Sequence, residues 1–261
     1  MKKVSVIIPC YNQSEYLHEA VMSVINSTYQ NVEIIVINDG STDVTHIDMT
    51  NLLKDYENVK LINQENSGVC IARNNGIELC NGDYILPLDA DDKIESTYIE
   101  KAVKILEDNS DIGIVYCEVE TFGKMGGQHL RLKEAVLKNM LIQNRIFSSA
   151  IFRKSLFYDA GGYKPEMENG CEDWDLWLSI IERGAKVYKI PQTLFYYRKS
   201  ENIRTAHALK PLNYLQIRLK VVNFHKKLYD KFGGIIYPVL LFMVLKNFAA
   251  HYYKKLKGLF K

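Results

Sequence analysis

The sequence predicts an α/β fold, a mostly parallel sheet with helices on both faces. Three observations carry that expectation. Apolar runs at 4–8, 32–37, 59–62 and 84–88 alternate with segments of helical or turn character, the pattern of repeated βαβ units. Three of those runs stop abruptly at polar or acidic residues, at the strand ends where such sheets bind ligands. A chain of 261 residues with 47% hydrophobic and 25% charged residues can also bury the core of one main domain plus an appendage.

The first strand is expected over 4–8, closed by Pro9. Asn12-Gln13-Ser14-Glu15 follows a capping-box pattern with Asn12 as cap. Leu17, Ala20, Val21, Val24 and Ile25 then recur at helical spacing. The second strand, 32–37, ends at Asn38-Asp39-Gly40, a good turn sequence in which Asp39 is either a turn or cap residue or a ligand acceptor. A weakly patterned helix through Ile47, Leu52, Leu53 and Tyr56 leads to a short strand at 59–62. Ser67-Gly68 opens a helix carrying Ala72, Arg73 and Asn74, and Gly82-Asp83 turns the chain into the fourth strand.

That strand delivers Asp89, Asp91 and Asp92 to its tip. In extended chain Asp89 and Asp91 point to the same side and repel unless a cation lies near them. An oxygen-only pair favours Mg²⁺ or Mn²⁺, which accept substrate phosphates as further ligands. The competing reading is a solvated acidic turn before a helix that Thr97 and Glu100 start as a capping box. Spacing alone leaves the two level.

Farther on, Ile99, Ala102, Val103 and Leu106 give an amphipathic helix, and 112–117 a strand. A loop with Gly123, Gly126 and Gly127 is expected to be mobile, and 130–160 to be largely helical, ending at Ala160-Gly161-Gly162-Tyr163. Trp174, Trp177, Leu178 and Ile181 share one helical face, which points them at the core. Glu172 and Asp173 stand at that helix's start, where the macrodipole favours carboxylates. Strands at 187–190 and 194–197 follow.

Composition removes several classes. A net charge of +2 gives no general nucleic-acid footprint. Five scattered cysteines with no CxxC pair point to reduced thiols in a cytosolic compartment, not to a disulfide framework or zinc site. The first strand is followed by Cys10-Tyr11-Asn12 without glycines, which weighs against a dinucleotide cofactor.

Taken together, Val6-Ile7-Ile8-Pro9-Cys10-Tyr11-Asn12, Ile37-Asn38-Asp39-Gly40-Ser41-Thr42-Asp43, Leu88-Asp89-Ala90-Asp91-Asp92, Gly161-Gly162-Tyr163 and Glu172-Asp173-Trp174-Asp175-Leu176-Trp177 resemble the family 2 glycosyltransferases. The resemblance implies a Rossmann-like GT-A fold over 1–207, with a nucleotide-sugar half at 1–92 and an acceptor half at 93–207. It implies an inverting transfer from a nucleotide diphosphate sugar, a UDP-sugar by family tendency, to a glycan or lipid-linked acceptor in cell-surface polysaccharide synthesis. Tyr11 would pack on the base and Asp39 accept a hydrogen bond from it, with Pro9 and Asn12 alongside. Asp89 would lie near the ribose, and Asp91, with Asp89, would coordinate Mn²⁺ or Mg²⁺ on the diphosphate. Arg73 matches a basic position near the nucleotide. Asp173 matches the general base, with Glu172 and Trp174 on the acceptor side. Ser200 stands where the family often has a metal-completing histidine, and His207 is the nearest substitute.

That departure supports an alternative reading, a catalytically silent nucleotide-sugar-binding or membrane scaffold subunit. A glycosidase would leave the first strand and the Asn-Asp-Gly segment without a purpose. A nucleotidyltransferase would want a glycine- and Arg/Lys-rich loop after the first strand. Residues 208–261 form a helical, basic extension. Leu212, Leu215, Leu219 and Val222 suggest an amphipathic helix, and the apolar run 235–245 is too short to span a bilayer. With Lys246, Lys254, Lys255, Lys257 and Lys261 beyond it, the composition fits peripheral attachment to the inner face of a cell membrane. The alternative is packing on the catalytic domain or a dimer partner.

Overall fold

The computed structural model describes residues 1–42, 56–199 and 210–259. In these residues lie the strands β1 (Val4–Cys10), β2 (Val32–Asp39), β3 (Val59–Gln64), β4 (Tyr84–Pro87), β5 (Lys93–Ile94), β6 (Ile112–Phe122), β7 (His129–Leu130), β8 (Ile151–Arg153) and β9 (Lys186–Arg198). The helices are α1 (Ser14–Ile25), α2 (Val69–Glu78), α3 (Tyr98–Asp108), α4 (Leu137–Ile142), α5 (Lys154–Ala160), α6 (Glu172–Glu182), α7 (Pro211–Phe224) and α8 (Lys226–Leu259). The helix expected through Ile47, Leu52 and Leu53 falls outside the described residues, as do Ser200 and His207.

One sheet runs β3-β2-β1-β4-β8-β6-β9-β5, with β7 paired to β6. Its long ladders are parallel, β1 with β2 and β4, β2 with β3, and β6 with β9. The antiparallel pairings of β8, β5 and β7 are short. Every residue of β1 and β2 is buried, as a strand covered on both faces requires. Val4, Val6 and Ile8 pack with α1 and α3 on one face. Ile7, Ile35 and Ile37 pack with α2 and with α4 to α8 on the other. The chain leaves β1 towards β2 and β3, then returns on its other side as β4. That reversal opens a crevice at the carboxyl ends of β1, β2 and β4.

Several expectations change. Strand β1 continues through Pro9 to Cys10, because its ladder with β4 ends at Ile7 opposite Pro87 and lacks no donor at Pro9. Asn12 does not cap α1. Gln13 occupies the cap position without a side-chain bond, and Asn12 takes a left-handed φ of 52°. The stretch 130–160 is not largely helical, since β8 lies inside it between β4 and β6. Its Ile151 and Phe152 join opposite core clusters, a two-residue alternation too short to read as a strand from sequence. The glycine loop closes a hairpin, with Gly126 N–H donating to Gly123 O at 3.0 Å. The two last strands are one, β9, with register shifts against β6 that absorb Pro191.

In α7 the buried face is shifted from the predicted one, of which Val222 still packs against the core. Ile217 and Val221 are buried with Arg218, whereas Leu212 and Leu219 are exposed. Helix α8 buries Leu228, Tyr229, Ile236 and Leu240 on the same sheet face as α6. The extension therefore does pack on the domain. It bends by 97° between Lys226–Gly234 and Ile236–Ala250. Pro238 lacks the N–H that would bond to Gly234 O, and Gly233-Gly234 just before the break adds freedom. Among the described residues no single helix is long and apolar enough to cross a membrane; the bent pair passes that test by length and composition only.

Candidate active site

The site gathers at the carboxyl ends of β1, β2 and β4. After β1, Tyr11 is exposed and Asn12 reaches sideways, its Oδ1 accepting from Thr42 N–H at 2.9 Å and its own N–H donating to Ser41 Oγ at 3.0 Å. The loops after β1 and β2 are thereby held together. At the tip of β2, Asp39 is buried. Its carboxylate accepts from Ser67 N–H (2.8 Å), Gly68 N–H (3.0 Å) and Gln64 Nε2 (2.8 Å), fixing the start of α2 to the strand end. Gly68 there has φ 85°, a backbone that disfavours any side chain.

The acids after β4 are not in extended chain. Residues 89–92 form a turn, with Asp92 N–H donating to Asp89 O at 3.0 Å. The Thr97–Glu100 capping box does not form: Glu95 accepts from Thr97 N–H at 2.8 Å, and Glu100 accepts from Thr28 Oγ1 at 2.7 Å. Burial, then the Asp89 charge, pushes the Asp91 carboxyl up to about 6. Burial, then Asp89 and Asp91, holds Asp92 well above the usual carboxylate range. Asp92 Oδ1 accepts from Arg198 N–H at 2.8 Å, while its buried Oδ2 has no partner among the described residues.

Arg198 braces this turn from the end of β9. Its Nε donates to Asp91 O at 2.8 Å, and its guanidinium lies 4.4 Å from the Tyr16 ring centroid and 4.2 Å from that of Phe122. Its Nη2 pairs with Glu19 on α1. Arg73, wholly buried on α2, spans two carboxylates: Nη2 to Asp89 Oδ1 at 2.6 Å and Nη1 to Glu172 Oε1 at 2.8 Å. The Tyr163 ring covers it at 5.3 Å.

Glu172 and Asp173 open α6, whose cap Cys171 is, with Asn12, one of two non-glycine residues of positive φ among the described residues. Both outliers adjoin candidate site residues, and such conformations persist where surrounding structure imposes them. Asn144 Nδ2 donates to Asp173 Oδ2 at 2.9 Å. Trp174 is buried, its Nε1 donating to Met140 O at 2.7 Å, so its ring is in the core as the helical face predicts. The structure thus groups Tyr11, Asn12 and Asp39 on one side of the crevice. Through Arg73 it ties Asp89 to the start of α6. Sequence reasoning missed Asn144 and Arg198 as supports. Asn144 carries no local signal, and in the sequence Arg198 marks only a position two residues ahead of Ser200.

The donor set around 89–92 fits a hard divalent cation. It is oxygen only, burial and neighbouring acids raise the Asp91 and Asp92 carboxyls, and one buried oxygen of Asp92 is unpartnered among the described residues. Among the described residues no cluster of three or more His, Cys, Asp or Glu could by itself hold a metal ion. The protein would supply part of such an ion's shell.

The family model described as Glycosyl transferase family 2 matches residues 5–161. The chain belongs to glycosyl transferase family 2. It is 31% identical over 251 residues to an uncharacterized glycosyltransferase of Haemophilus influenzae, covering 84% of this chain and 77% of that one. With glycosyltransferase GlyA of Streptococcus pneumoniae it shares 40% identity over 113 residues, 43% of this chain and 16% of that protein. The fold is that of S. aureus TarS 1–349 in complex with UDP-GlcNAc, at a TM-score of 0.71 and 19% identity, covering 85% of this chain and 66% of that one. It is also that of the mannosyltransferase PcManGT from Pyrobaculum calidifontis in complex with GDP-Man and Mn²⁺, at a TM-score of 0.68 and 19% identity, covering 95% of this chain and 74% of that one. This family 2 glycosyltransferase therefore has the GT-A fold, and the mixed sheet with its C-terminal helices accords with it.

Proposed function

We propose that this glycosyltransferase moves a sugar, with inversion, from a UDP-sugar to a hydroxyl of a glycan or lipid-linked acceptor in cell-surface polysaccharide synthesis. Residues 1–92 take the donor and 93–207 the acceptor, at the cytoplasmic face of a membrane met by 208–261. The observation that carries the reading is the Arg73 bridge, which binds the acidic strand tip to the helix that begins with Glu172 and Asp173. The absence of disulfides among the five cysteines supports the cytoplasmic setting.

In this reading the Tyr11 ring, exposed at the end of β1, packs on the base. Asp39 accepts a hydrogen bond from it with capacity left by its three internal donors. Pro9 and Asn12 set the loop between them. Asp89 orients the ribose while Arg73 holds it in place. Asp173, itself positioned by Asn144, takes the proton of the acceptor hydroxyl. The acceptor oxygen then attacks the anomeric carbon opposite the diphosphate. As that bond forms, the bond to the diphosphate oxygen breaks and its electron pair leaves with the nucleoside diphosphate. Mn²⁺ or Mg²⁺ held by Asp91 and Asp89 would supply Lewis-acid stabilisation of the charge on that leaving group. UDP-GlcNAc in one fold relative, and GDP-Man with Mn²⁺ in the other, support a nucleotide-sugar donor and a divalent metal.

A panel of UDP-, GDP- and dTDP-sugars, incubated with Mn²⁺ and candidate acceptors while released nucleoside diphosphate is measured, tests the reading. Turnover with a UDP-sugar that Asp91→Ala and Asp173→Asn each abolish is the expected result. Full transfer by Asp173→Asn would remove this residue as the base.

A further inference from the structure

The second arm of α8, Ile236–Ala250, is apolar on two opposite sides. One side is occupied: Ile236 is 1% and Leu240 8% exposed against the catalytic domain. On the other, Leu241 is 61%, Phe242 65% and Leu245 59% exposed, and Tyr252 and Tyr253 extend the exposed apolar surface along the helix. A helix lying on a water-facing surface would carry polar residues there. The charge pattern names the occupant. After Asp230 the chain has Lys231, Lys246, Lys254, Lys255, Lys257 and Lys261 and no acid. A second copy docked on the same face would bring like charges together, whereas anionic headgroups would meet opposite ones. Length sets the mode of contact. Fifteen residues make about 22 Å of helix, short of the roughly 30 Å hydrocarbon core, and the 97° bend denies the arm a straight extension.

We propose that the outer face of this arm, Leu241, Phe242, Leu245, Tyr252 and Tyr253, lies in the plane of an anionic bilayer surface, whose charge the lysine-rich, acid-free C-terminal sequence complements. The inner face keeps the catalytic domain against it. This goes beyond peripheral contact by the extension as a whole. It assigns the contacting face, its orientation and the lipid charge, and it does not depend on the identity of donor or acceptor.

The test is flotation of the full chain with phosphatidylcholine vesicles, with and without phosphatidylglycerol, at low and high salt, beside the oligomeric state from light scattering. The expected result is co-flotation with the anionic vesicles only, weakened by salt, and reduced ten-fold or more in Leu241→Glu/Phe242→Glu. The exposed position of both side chains predicts an unchanged thermal midpoint for that variant, which separates lost binding from lost folding. A second variant, Lys254→Glu/Lys255→Glu, should lose the preference for anionic over neutral vesicles. Failure to float with anionic vesicles, or undiminished flotation of the Leu241→Glu/Phe242→Glu variant, would overturn the proposal. So would a wild-type dimer that this variant converts to monomer, which would make the face a self-interface. The inference rests on the membrane contact proposed for 208–261, and a failed flotation would remove that contact while leaving sugar transfer standing; loss of transfer in a donor assay would leave the flotation result standing.

Discussion

Arg73 and Glu172 lie 99 residues apart in the chain and meet at 2.8 Å inside the protein, Nη1 on Oε1. The same guanidinium holds Asp89. The resemblance puts Arg73 near the nucleotide and Glu172 on the acceptor side; the geometry joins those sides. Removing the arginine leaves the buried Glu172 carboxylate and the half-buried Asp89 carboxylate without their cation. Arg73→Ala should cost about 3–5 kcal/mol of stability by urea unfolding. Arg73→Lys keeps the charge but cannot reach both acids as a fork, so it should lower kcat more than nucleotide affinity.

The Asp173 carboxylate is aimed by Asn144 Nδ2. Asp173→Asn should lower kcat on the order of 100-fold or more with nucleotide binding intact. Asn144→Leu leaves the proposed base in place but unaimed, and should lower kcat by about 10- to 100-fold. Calorimetry with UDP and steady-state transfer rates separate binding from chemistry in both variants.

In the proposed metal role Asp91 would bind a cation only as carboxylate, and burial with Asp89 pushes its carboxyl up to about 6. Below that pH a proton competes with the ion. Mn²⁺ affinity should therefore fall by about ten-fold per pH unit beneath about pH 6 and level off above it. Titration calorimetry at pH 5, 6 and 7.5 reads this directly. A flat profile would mean that Asp91 is not a ligand. Asp91→Asn should remove both the affinity and its pH dependence.

Asp175, buried on α6, behaves in the opposite sense. Burial raises its carboxyl, but His225 and Lys164 outweigh it and hold the group below the usual range. Its oxygens accept from His225 Nε2 at 3.1 Å and Lys164 Nζ at 2.5 Å. A depressed folded pKa gives stability that is present above the unfolded pKa, about 3.9, and lost as pH falls through the folded value. The wild type should lose stability steeply below about pH 4, with a shallower acid limb in Asp175→Asn. Thermal midpoints between pH 3 and 7 check the sign.

Much of the fold was legible because its signals are local. Strands β1 and β2 are unbroken apolar runs, and α1 and α3 carry complete one-sided stripes, so period and length name them. Strand β8 was not legible. Three residues cannot display a period, and their strand state comes from the edges of β4 and β6 on either side. Helix α7 failed for a related reason, since its leucines form a helical face as good as the one buried. The face that is buried carries Ile217 and Val221, with Arg218 Nη1 reaching Ile142 O at 2.6 Å and its guanidinium lying 5.2 Å from the Trp174 ring centroid. Asn12 read as a cap because capping boxes are recognised by spacing; its side chain instead found Thr42, held beside it by the sheet.

The sequence by itself determined the alternation of strands and helices, the acids at the strand tips, and membership of a glycosyltransferase family. Each of these is written in neighbouring residues, through periodicity, turn chemistry or a contiguous motif. Tertiary structure alone decided that Arg73 lies between Asp89 and Glu172, that Asn144 aims Asp173, and which side of α8 remains uncovered. Those depend on which distant backbones the buried sheet brings within about 3 Å of one another, and no local pattern encodes that distance.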